Sequence, residues 1–397
     1  MGTIINKKYI YLTLIYILLL LDSGFYFSSQ GGVFLLTQLV ISIILMILSK
    51  AYVQQKALVI LLILCMLVFF NSIFSDDTIR DVAVSIIELI SSYFIACTIS
   101  GQSSDKICKV IRLLIITLCI FSLITFSITF VKPAFISNLP VLVAGNGLRC
   151  YFWGLSFSYV PEGFYIVRNP GLFWEPGAYQ VYLILALIYE LFVYKGKYAK
   201  YIYTLTLITT LSSTGFACMM MTWLLYSFSM NKKRSFNMLL LFIFLFLLIY
   251  INIDYLPDSI KFNYISKIQS AFLGNSENYI TVATRVDSFF YGLDLILSNP
   301  LLGIGRGLDE LRQLTGNNIL SCTPINWMLQ YGVLFGCLSF IGVFILMMRL
   351  KIRMFIKISL FFTILLSIST EAFNLSPTFF TIVFLGFSRI YYRDVNE

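Results

Sequence analysis

The feature that most constrains this chain is a series of apolar runs, several close to 20 residues long, separated by short basic clusters. A helix that rises about 1.5 Å per residue needs about 20 residues to cross a hydrocarbon core ~30 Å thick. A transmembrane β-barrel would show alternating segments of about ten residues instead, and the runs here are continuous. The sequence therefore predicts an all-α integral membrane protein.

The composition agrees with a bilayer as the solvent. Hydrophobic residues make up 59% of the 397 residues and charged residues 12%, whereas soluble domains carry about 25% charged residues. A net charge of +9 can indicate nucleic-acid binding, but such binding needs Lys and Arg gathered on one soluble face. Here they are scattered between the apolar runs, so we expect the lipid bilayer as a partner and no nucleic acid.

Twelve apolar runs are interpreted as spans of a single polytopic membrane domain covering residues 1–397. They are Tyr9–Phe27, Val33–Leu48, Ala57–Phe74, Val82–Ile99, Leu113–Val131, Ala178–Tyr194, Tyr201–Leu211, Phe216–Met230, Met238–Ile253, Pro324–Met348, Met354–Ser369 and Thr378–Ile390. The segment from Tyr201 to Met230 decides the topology. Two helices broken at Ser212–Gly215 place most of the 28 basic residues on one side, which the positive-inside rule makes cytoplasmic. We therefore predict twelve spans with both termini in the cytoplasm.

This topology leaves two long periplasmic loops, at about 132–177 and 254–323, while the cytoplasmic connections are short. Loops longer than about 12 to 15 residues are usually functional or disordered. These two are rich in Tyr, Phe, Gly and Pro, so we expect ordered structure at the membrane surface. The eight cysteines show no C-x-x-C spacing, so no metal site is indicated, and a bond between Cys150 and Cys322 in these loops is left open.

The first long loop ends in Arg168-Asn-Pro-Gly-Leu-Phe-Trp-Glu-Pro-Gly177, which leads directly into a span. An interfacial anchor is the plain interpretation, because Phe173 and Trp174 suit the headgroup region. A binding site is the functional interpretation. Arg168 offers a fork of donors that matches phosphate oxygens, and a poorly hydrated glutamate such as Glu175 can act as a general base.

The second long loop holds three segments with ionisable residues, glycines or a polar residue at the mouth of a span: Arg285-Val-Asp287, Asn299–Gly307 and Thr323–Trp327. The glycines do not form a dinucleotide fingerprint, because no strand precedes them and their third spacing is wrong. We expect them to let backbone amides and Arg306 approach an anion. Asn326 would then present a polar group to the same cavity from the first turn of a span.

The break at Ser212–Gly215 has two interpretations. It forms a tight hairpin between two short helices, or its hydroxyls and helix-end amides bind a sugar or a phosphate.

In four patches, and in their order, the sequence resembles the O-antigen ligase and polymerase superfamily. The patches are Arg168-x-x-Gly171-x-Phe173-x-Glu175-Pro176, the hairpin Leu211–Gly215, Arg285 followed by Asn299–Gly305, and Asn326-x-x-Leu329-Gln-Tyr-Gly332 with Gly336. The motifs cover roughly residues 168–340, and the architecture of twelve spans with two long outer loops covers the whole chain.

The resemblance implies a membrane glycosyltransferase that acts on an oligosaccharide carried by undecaprenyl diphosphate, at the periplasmic face of the bacterial inner membrane. A flippase and a chain-length regulator are its implied partners. Ligases of this superfamily carry a histidine beside the asparagine before the tenth span, whereas this sequence contains no histidine. The O-antigen polymerase branch is therefore favoured over the ligase branch.

On this hypothesis the catalytic residues are Glu175, Arg168 and Asp287, and the substrate-binding residues are Arg285, Arg306 and Asn326. The arginines stabilise the charge that develops on the leaving diphosphate. Glu175, or in second place Asp287, takes the proton of the acceptor hydroxyl, unless positioning alone suffices. No cofactor and no metal are expected.

Three other functions stay open beside the ligase. A flippase or transporter of the same lipid-linked glycan would share the many spans, but transporters usually carry repeated halves and midplane binding residues. No internal repeat is visible, which favours an enzyme. A capsule or exopolysaccharide polymerase would use the same mechanism, and a membrane scaffold is the least favoured alternative.

Overall fold

The structure is a computed structural model, and it describes a chain that is mainly helical. The described residues are 7–23, 32–75, 77–101, 104–143, 149–158, 168–230, 289–290, 292–306, 322–369, 371, 373 and 375–389. The helices are α1 (Lys7–Leu21), α2 (Gly32–Ser49), α3 (Gln55–Phe74), α4 (Ile79–Ser100), α5 (Ser104–Val131), α6 (Pro176–Ile188, continued by a π turn at Tyr189–Tyr194), α7 (Ala199–Thr209), α8 (Ser213–Met230), α9 (Thr323–Tyr331), α10 (Val333–Met348), α11 (Met354–Ile368) and α12 (Pro377–Phe387). A short helical segment also covers residues 292–298.

Among the described residues, five helices are long and apolar enough to cross a membrane: α2, α3, α4, α5 and α6 with its π turn. Shorter apolar helices cover most of α1 and all of α10, α11 and α12. Long continuous helices satisfy their own backbone hydrogen bonds, as a lipid environment requires. The coarse prediction of a helical, multi-pass membrane protein is therefore confirmed.

The predicted apolar runs contain helices wherever the structure describes them. The run Met238–Ile253 lies outside the described residues. The run Pro324–Met348 is not one helix but two, because Gly332 adopts φ +88° between α9 and α10. A left-handed φ of this kind interrupts the helical hydrogen-bond ladder and favours glycine.

The segment from residue 199 to residue 230 forms an antiparallel hairpin of α7 and α8. Trp223 Nε1 donates a hydrogen bond to Thr204 Oγ1 at 3.0 Å, and Lys200 Nζ lies 5.4 Å from the centre of the Tyr226 ring. One continuous helix would separate Lys200 from Tyr226 by about 39 Å at 1.5 Å per residue. The predicted break into two helices is thus confirmed.

A three-stranded antiparallel sheet lies in the first long loop, and the expectation of an all-α fold did not include it. Its strands are β1 (Val141–Val143), β2 (Arg149–Phe152) and β3 (Phe157–Ser158), in the order β1-β2-β3. Aromatic and β-branched residues favour strands, and the rings of Phe152 and Phe157 lie 4.9 Å apart. The loop is therefore ordered where the structure describes it.

The described residues pack in two compact units. Unit 1 comprises residues 1–115, 291–349 and 372–397, and unit 2 comprises residues 116–290 and 350–371. In unit 1, α4 packs against α2, α3 and α12, and α10 approaches α12 closely at Gly342 and Gly386. Small residues allow helices in membranes to pack at short range.

In unit 2 the central element is α6, which packs against α7, α8 and α11. Only Leu185 among its 13 residues is not buried. Pro176 at its first position and the buried apolar side chains that follow explain both the start of the helix and its central place. The segment Arg168–Gly177 therefore leads into the core of unit 2.

The two loop cysteines are not joined. Cys150 in β2 and Cys322 before α9 both carry thiols.

Candidate functional site

The segment Arg168–Gly177 is held in place by the side chain of Asn169. Its Nδ2 donates to Thr209 Oγ1 at 2.9 Å and to Ser122 Oγ at 3.2 Å, and its Oδ1 accepts from Gly171 N at 3.0 Å. The backbone N of Asn169 donates to Thr209 O at 3.1 Å. This buried amide thus fixes the segment to α5 and to the end of α7.

Arg168 is placed at the tip of the α7–α8 hairpin. Its Nε donates to Thr210 O at 3.1 Å, and its side chain is half-buried. Among the described residues, this is the one hydrogen bond of the guanidinium, and its two terminal nitrogens bond to none of them. A fork of this geometry suits a carboxylate or a phosphate.

Close aromatic packing holds the middle of the same segment. Gly171 adopts φ +56°, and a Cβ there would lie 2.6 Å from Tyr179 Cδ1. The Phe173 ring stacks on that of Tyr182 at 4.1 Å and on that of Tyr179 at 5.6 Å. The predicted motif glycine is therefore required by both conformation and space.

Glu175 occupies the N-cap position of α6 but does not cap it. Its side chain makes no cap hydrogen bond, and its Oε1 accepts instead from Trp174 Nε1 at 3.1 Å. The carboxylate is half-buried. Glu175 therefore lies at the start of the helix, as predicted, and its carboxylate is turned toward Trp174.

Glu371 is a second carboxylate at the N-terminus of α6, and sequence reasoning did not identify it. A Cβ on Gly177 would lie 2.8 Å from Glu371 Cδ, and Glu371 is only 5% exposed. The positive end of a helix dipole favours a carboxylate at this position. The signal in the sequence was a single acidic residue in the short connection between the last two predicted spans.

The tip of the α7–α8 hairpin fits the structural interpretation of Ser212–Gly215. Ser212 Oγ accepts from Gly215 N at 3.2 Å, which caps the N-terminus of α8. A Cβ on Gly215 would lie 2.6 Å from Gln180 Oε1, so the turn packs directly on α6. The Ser212 hydroxyl and the Gly215 amide thus bond to each other, while binding of a sugar or a phosphate by the other groups of this turn stays a prediction.

In unit 1 the glycine-rich segment 299–306 closes the break between α9 and α10. Ile304 N donates to Leu329 O at 2.8 Å, Gly305 N donates to Gln330 O at 3.1 Å, and Val333 N donates to Pro300 O at 2.8 Å. Protein carbonyls thus occupy the amides that were expected to approach an anion. The amides of Ile304 and Gly305 complete a broken helix, which does not support the predicted approach of an anion to them.

Arg306 belongs to a hydrogen-bonded cluster of unit 1. Its Nη1 donates to Ser85 Oγ at 3.2 Å and lies 3.9 Å from Glu88 Oε2, while its backbone N donates to Asp77 Oδ1 at 2.6 Å. Ser85 Oγ also lies 3.0 Å from the Tyr331 hydroxyl. Arg306 therefore connects its own loop with α4 and with the end of α9.

The environment keeps Arg306 charged. Burial lowers the pKa of its guanidinium, but Tyr331 and the nearby carboxylates raise it, and the net shift is upward. The nearby carboxylates offset the positive potential of this guanidinium, so it attracts a diphosphate less strongly than an uncompensated guanidinium would.

The remaining predicted site residues do not all lie in the same unit of the structure. Arg168 and Glu175 lie on one segment of unit 2, whereas Arg306 and Asn326 belong to unit 1. Asn326 is fully buried near the start of α9, and its backbone N donates to Cys322 O at 2.9 Å, whereas the glycine segment contacts the other end of that helix. Arg285 and Asp287 lie outside the described residues.

The fold and these buried ionisable groups define a helical, multi-pass membrane protein with a candidate site at the N-terminus of α6. No protein-family model matches the chain, and comparisons with curated proteins and with solved structures give no significant match. The function must therefore be argued from the site.

Proposed function

We propose that this protein is a membrane glycosyltransferase that polymerises O-antigen repeat units linked to undecaprenyl diphosphate. The proposal includes twelve spans, cytoplasmic termini and a site at the periplasmic face of the bacterial inner membrane. One observation carries it: Arg168, whose terminal nitrogens bond to none of the described residues, lies on the segment that leads to the α6 N-terminus, where Glu175 and Glu371 also lie.

The reaction that suits these groups is transfer from a lipid diphosphate to a sugar hydroxyl. The acceptor oxygen bonds to the anomeric carbon of the donor while the bond from that carbon to the phosphate oxygen breaks. The proton of the hydroxyl passes to a carboxylate, and undecaprenyl diphosphate leaves as the anion. Such a reaction needs a fixed cation for the leaving group and a base for the acceptor.

Arg168 is the proposed contact of the leaving diphosphate. Its Nε is fixed by Thr210 O, so the orientation of the guanidinium plane is set before the substrate binds. Preorganised donors of this kind lower the barrier because they need no rearrangement during the reaction. Arg285 and Asp287 stay proposed contributors from the second long loop, and Asn326 stays a proposed substrate-binding residue.

Glu371 becomes the first choice for the base, ahead of Glu175. Glu371 is almost fully buried beside the α6 N-terminus, while Glu175 is more exposed and accepts a hydrogen bond from Trp174. A buried carboxylate is better shielded from water that would compete for the acceptor proton. For Arg306 we propose a structural role, as the residue that connects α4 and α9.

The test is the glycan profile of a deletion strain complemented with single variants, with membrane abundance checked in parallel. We expect Arg168→Ala to leave lipid A core with a single repeat unit and no long ladder, as in the uncomplemented strain. The matched control is Lys132→Ala, which removes an exposed cation from the first long loop. A full ladder from Arg168→Ala at normal abundance would overturn the site.

The same profile separates the alternative functions. Bare core with accumulating lipid-linked polymer in the deletion strain would indicate a ligase, which the absence of histidine disfavours. An unchanged ladder would favour a capsule or exopolysaccharide polymerase, or a transporter. The two carboxylates at the α6 N-terminus favour an enzyme over a flippase, which needs no base.

A further inference from the structure

An aromatic pair lies on the first long loop, apart from the groups used in the proposed reaction. The rings of Phe135 and Trp153 stack with their centroids 5.9 Å apart and their planes at 25° to each other. Phe135 belongs to a short 3-10 helix, Pro133–Asn138, and Trp153 directly follows β2. Phe135 is 50% exposed, and Trp153 is half-buried. The pair therefore presents ring surface outside the core of unit 2.

The indole of Trp153 is fixed from within the protein. Its Nε1 donates to Ser158 Oγ at 3.0 Å, and that hydroxyl lies 3.0 Å from Thr129 Oγ1 on α5. Both hydroxyl residues are buried. The tryptophans of a membrane interface instead keep their N–H at the wet end of the ring, among the lipid headgroups. Because Trp153 uses its N–H inside the protein, the pair is better described as a rigid aromatic surface than as a headgroup anchor.

The small sheet connects this aromatic pair with the candidate site. Phe157 N in β3 donates to Gly171 O at 2.6 Å, and Gly171 belongs to the segment Arg168–Gly177. Thr125 Oγ1 on α5 lies 2.8 Å from Ser156 Oγ, just before β3. Backbone and hydroxyl contacts thus hold the pair and the segment on one scaffold within unit 2.

The surface of the pair suits a sugar ring. Sugar rings carry C–H groups on their faces, and the negative face of an aromatic ring attracts them. Asn138 is exposed on the same 3-10 helix as Phe135, and its amide can bond to sugar hydroxyls. A Cβ on Gly154, the neighbour of Trp153, would meet no atom within 4 Å. There is therefore open space beside the pair for a ligand.

A protein partner fits this surface less well. Among the described residues of the first long loop, Phe135 and Val141 are the exposed large apolar side chains. A stable protein interface buries about 800 Å² on each partner, which is far more than two side chains provide. The size of the patch matches one or two sugar rings instead.

We propose that Phe135 and Trp153 form a glycan subsite, on which a sugar ring of the lipid-linked oligosaccharide stacks at a distance from the bond that forms. This inference rests on the proposed function, because it names where the glycan of that reaction lies. The Cα atoms of Arg168 and Trp153 are at most about 30 Å apart, since seven residues of chain and one strand pairing separate them. A glycan of several sugars can contact both residues at once.

The test is isothermal titration of the purified full chain with lipid-free fragments of cell-surface polysaccharide, released from the source strain by mild acid. We expect Phe135→Leu to weaken binding about tenfold, because leucine is apolar but has no ring face to stack on. Phe135→Tyr keeps the ring and should bind like the wild-type chain. Phe135 is exposed, so neither variant should disturb the fold.

The matched control is Phe130→Leu, which should bind like the wild-type chain. Phe130 is 68% exposed at the end of α5, and its ring also stacks, on Phe126 at 6.2 Å. Equal affinity of Phe135→Leu and the wild-type chain, or no measurable binding by the wild-type chain, would overturn the subsite.

The glycan ladder of the Arg168→Ala strain tests the reaction separately. A full ladder there, with binding still weakened by Phe135→Leu, would overturn the proposed function and support the glycan subsite. A lost ladder there, with binding unchanged by Phe135→Leu, would overturn the subsite alone.

Discussion

The carboxylate of Glu371 packs against Gly177, and its Cδ lies 2.8 Å from the position that a Cβ on Gly177 would occupy. The two residues are far apart in the sequence, yet they meet at the start of the most buried helix of unit 2. This contact places a buried carboxylate against the segment that carries Arg168, and so makes Glu371 part of the candidate site.

The substitution Gly177→Ala should displace Glu371 and reduce both stability and polymer formation. Inserting a methyl group into a filled site typically costs about 1 to 3 kcal/mol. Thermal unfolding of the purified protein and the length of the glycan ladder measure the two effects. Gly32→Ala is the control, because a Cβ on Gly32 would meet no atom within 4 Å. Equal stability and equal ladders for both variants would contradict the contact.

Replacing the carboxylates singly by amides separates their roles. We expect Glu371→Gln to abolish the ladder while the protein stays at normal abundance, because the amide keeps the shape but cannot accept the proton. Glu175→Gln should retain most activity, since its partner Trp174 can still donate to the amide oxygen. A complete ladder from Glu371→Gln together with a lost ladder from Glu175→Gln would restore Glu175 as the base.

Arg168 and Arg306 should differ in what their loss affects. Arg306→Ala removes the cation beside Glu88 and the donor to Ser85 Oγ, and it should destabilise the protein by about 3 kcal/mol. Arg168→Ala removes one hydrogen bond to Thr210 O and should cost only about 1 kcal/mol, yet stop polymerisation. Denaturation midpoints beside ladder profiles measure the split. An inactive Arg306→Ala variant of wild-type stability would return Arg306 to the substrate site.

Gly332 should control the docking of segment 299–306. It adopts φ +88°, and a Cβ there would collide with Leu301 O, so Gly332→Ala should release the segment from α9. Hydrogen exchange at the Ile304 and Gly305 amides, which bond to Leu329 O and Gln330 O, should then accelerate. Gly154→Ala is the control, because Gly154 also has a positive φ but has open space around it. Unchanged exchange in the Gly332 variant would show that the loop does not depend on this break.

The sequence predicted those parts of the fold that depend on local chemistry. Apolar runs of near-spanning length form helices, because a bilayer stabilises continuous apolar segments whose backbone groups are hydrogen-bonded within the segment. The sequence also predicted the turn between α7 and α8 and the start of α6 at Pro176. Serine, glycine and proline affect the backbone conformation only within a few residues, so their effect can be predicted locally. Arg168 and Glu175 were predicted as site residues in this way, because they lie just before a helix start.

The tertiary structure decided which distant residues meet. The contact of Glu371 with Gly177 and the placement of Arg306 against Ser85 join segments that no local pattern connects. The same holds for the break at Gly332, where the carbonyls of Leu329 and Gln330 accept hydrogen bonds from segment 299–306. Hydropathy indicates which segments form membrane helices. It does not indicate how each helix is rotated about its axis or which helices it packs against. Those depend on side-chain packing and on buried hydrogen bonds, which only the assembled chain defines.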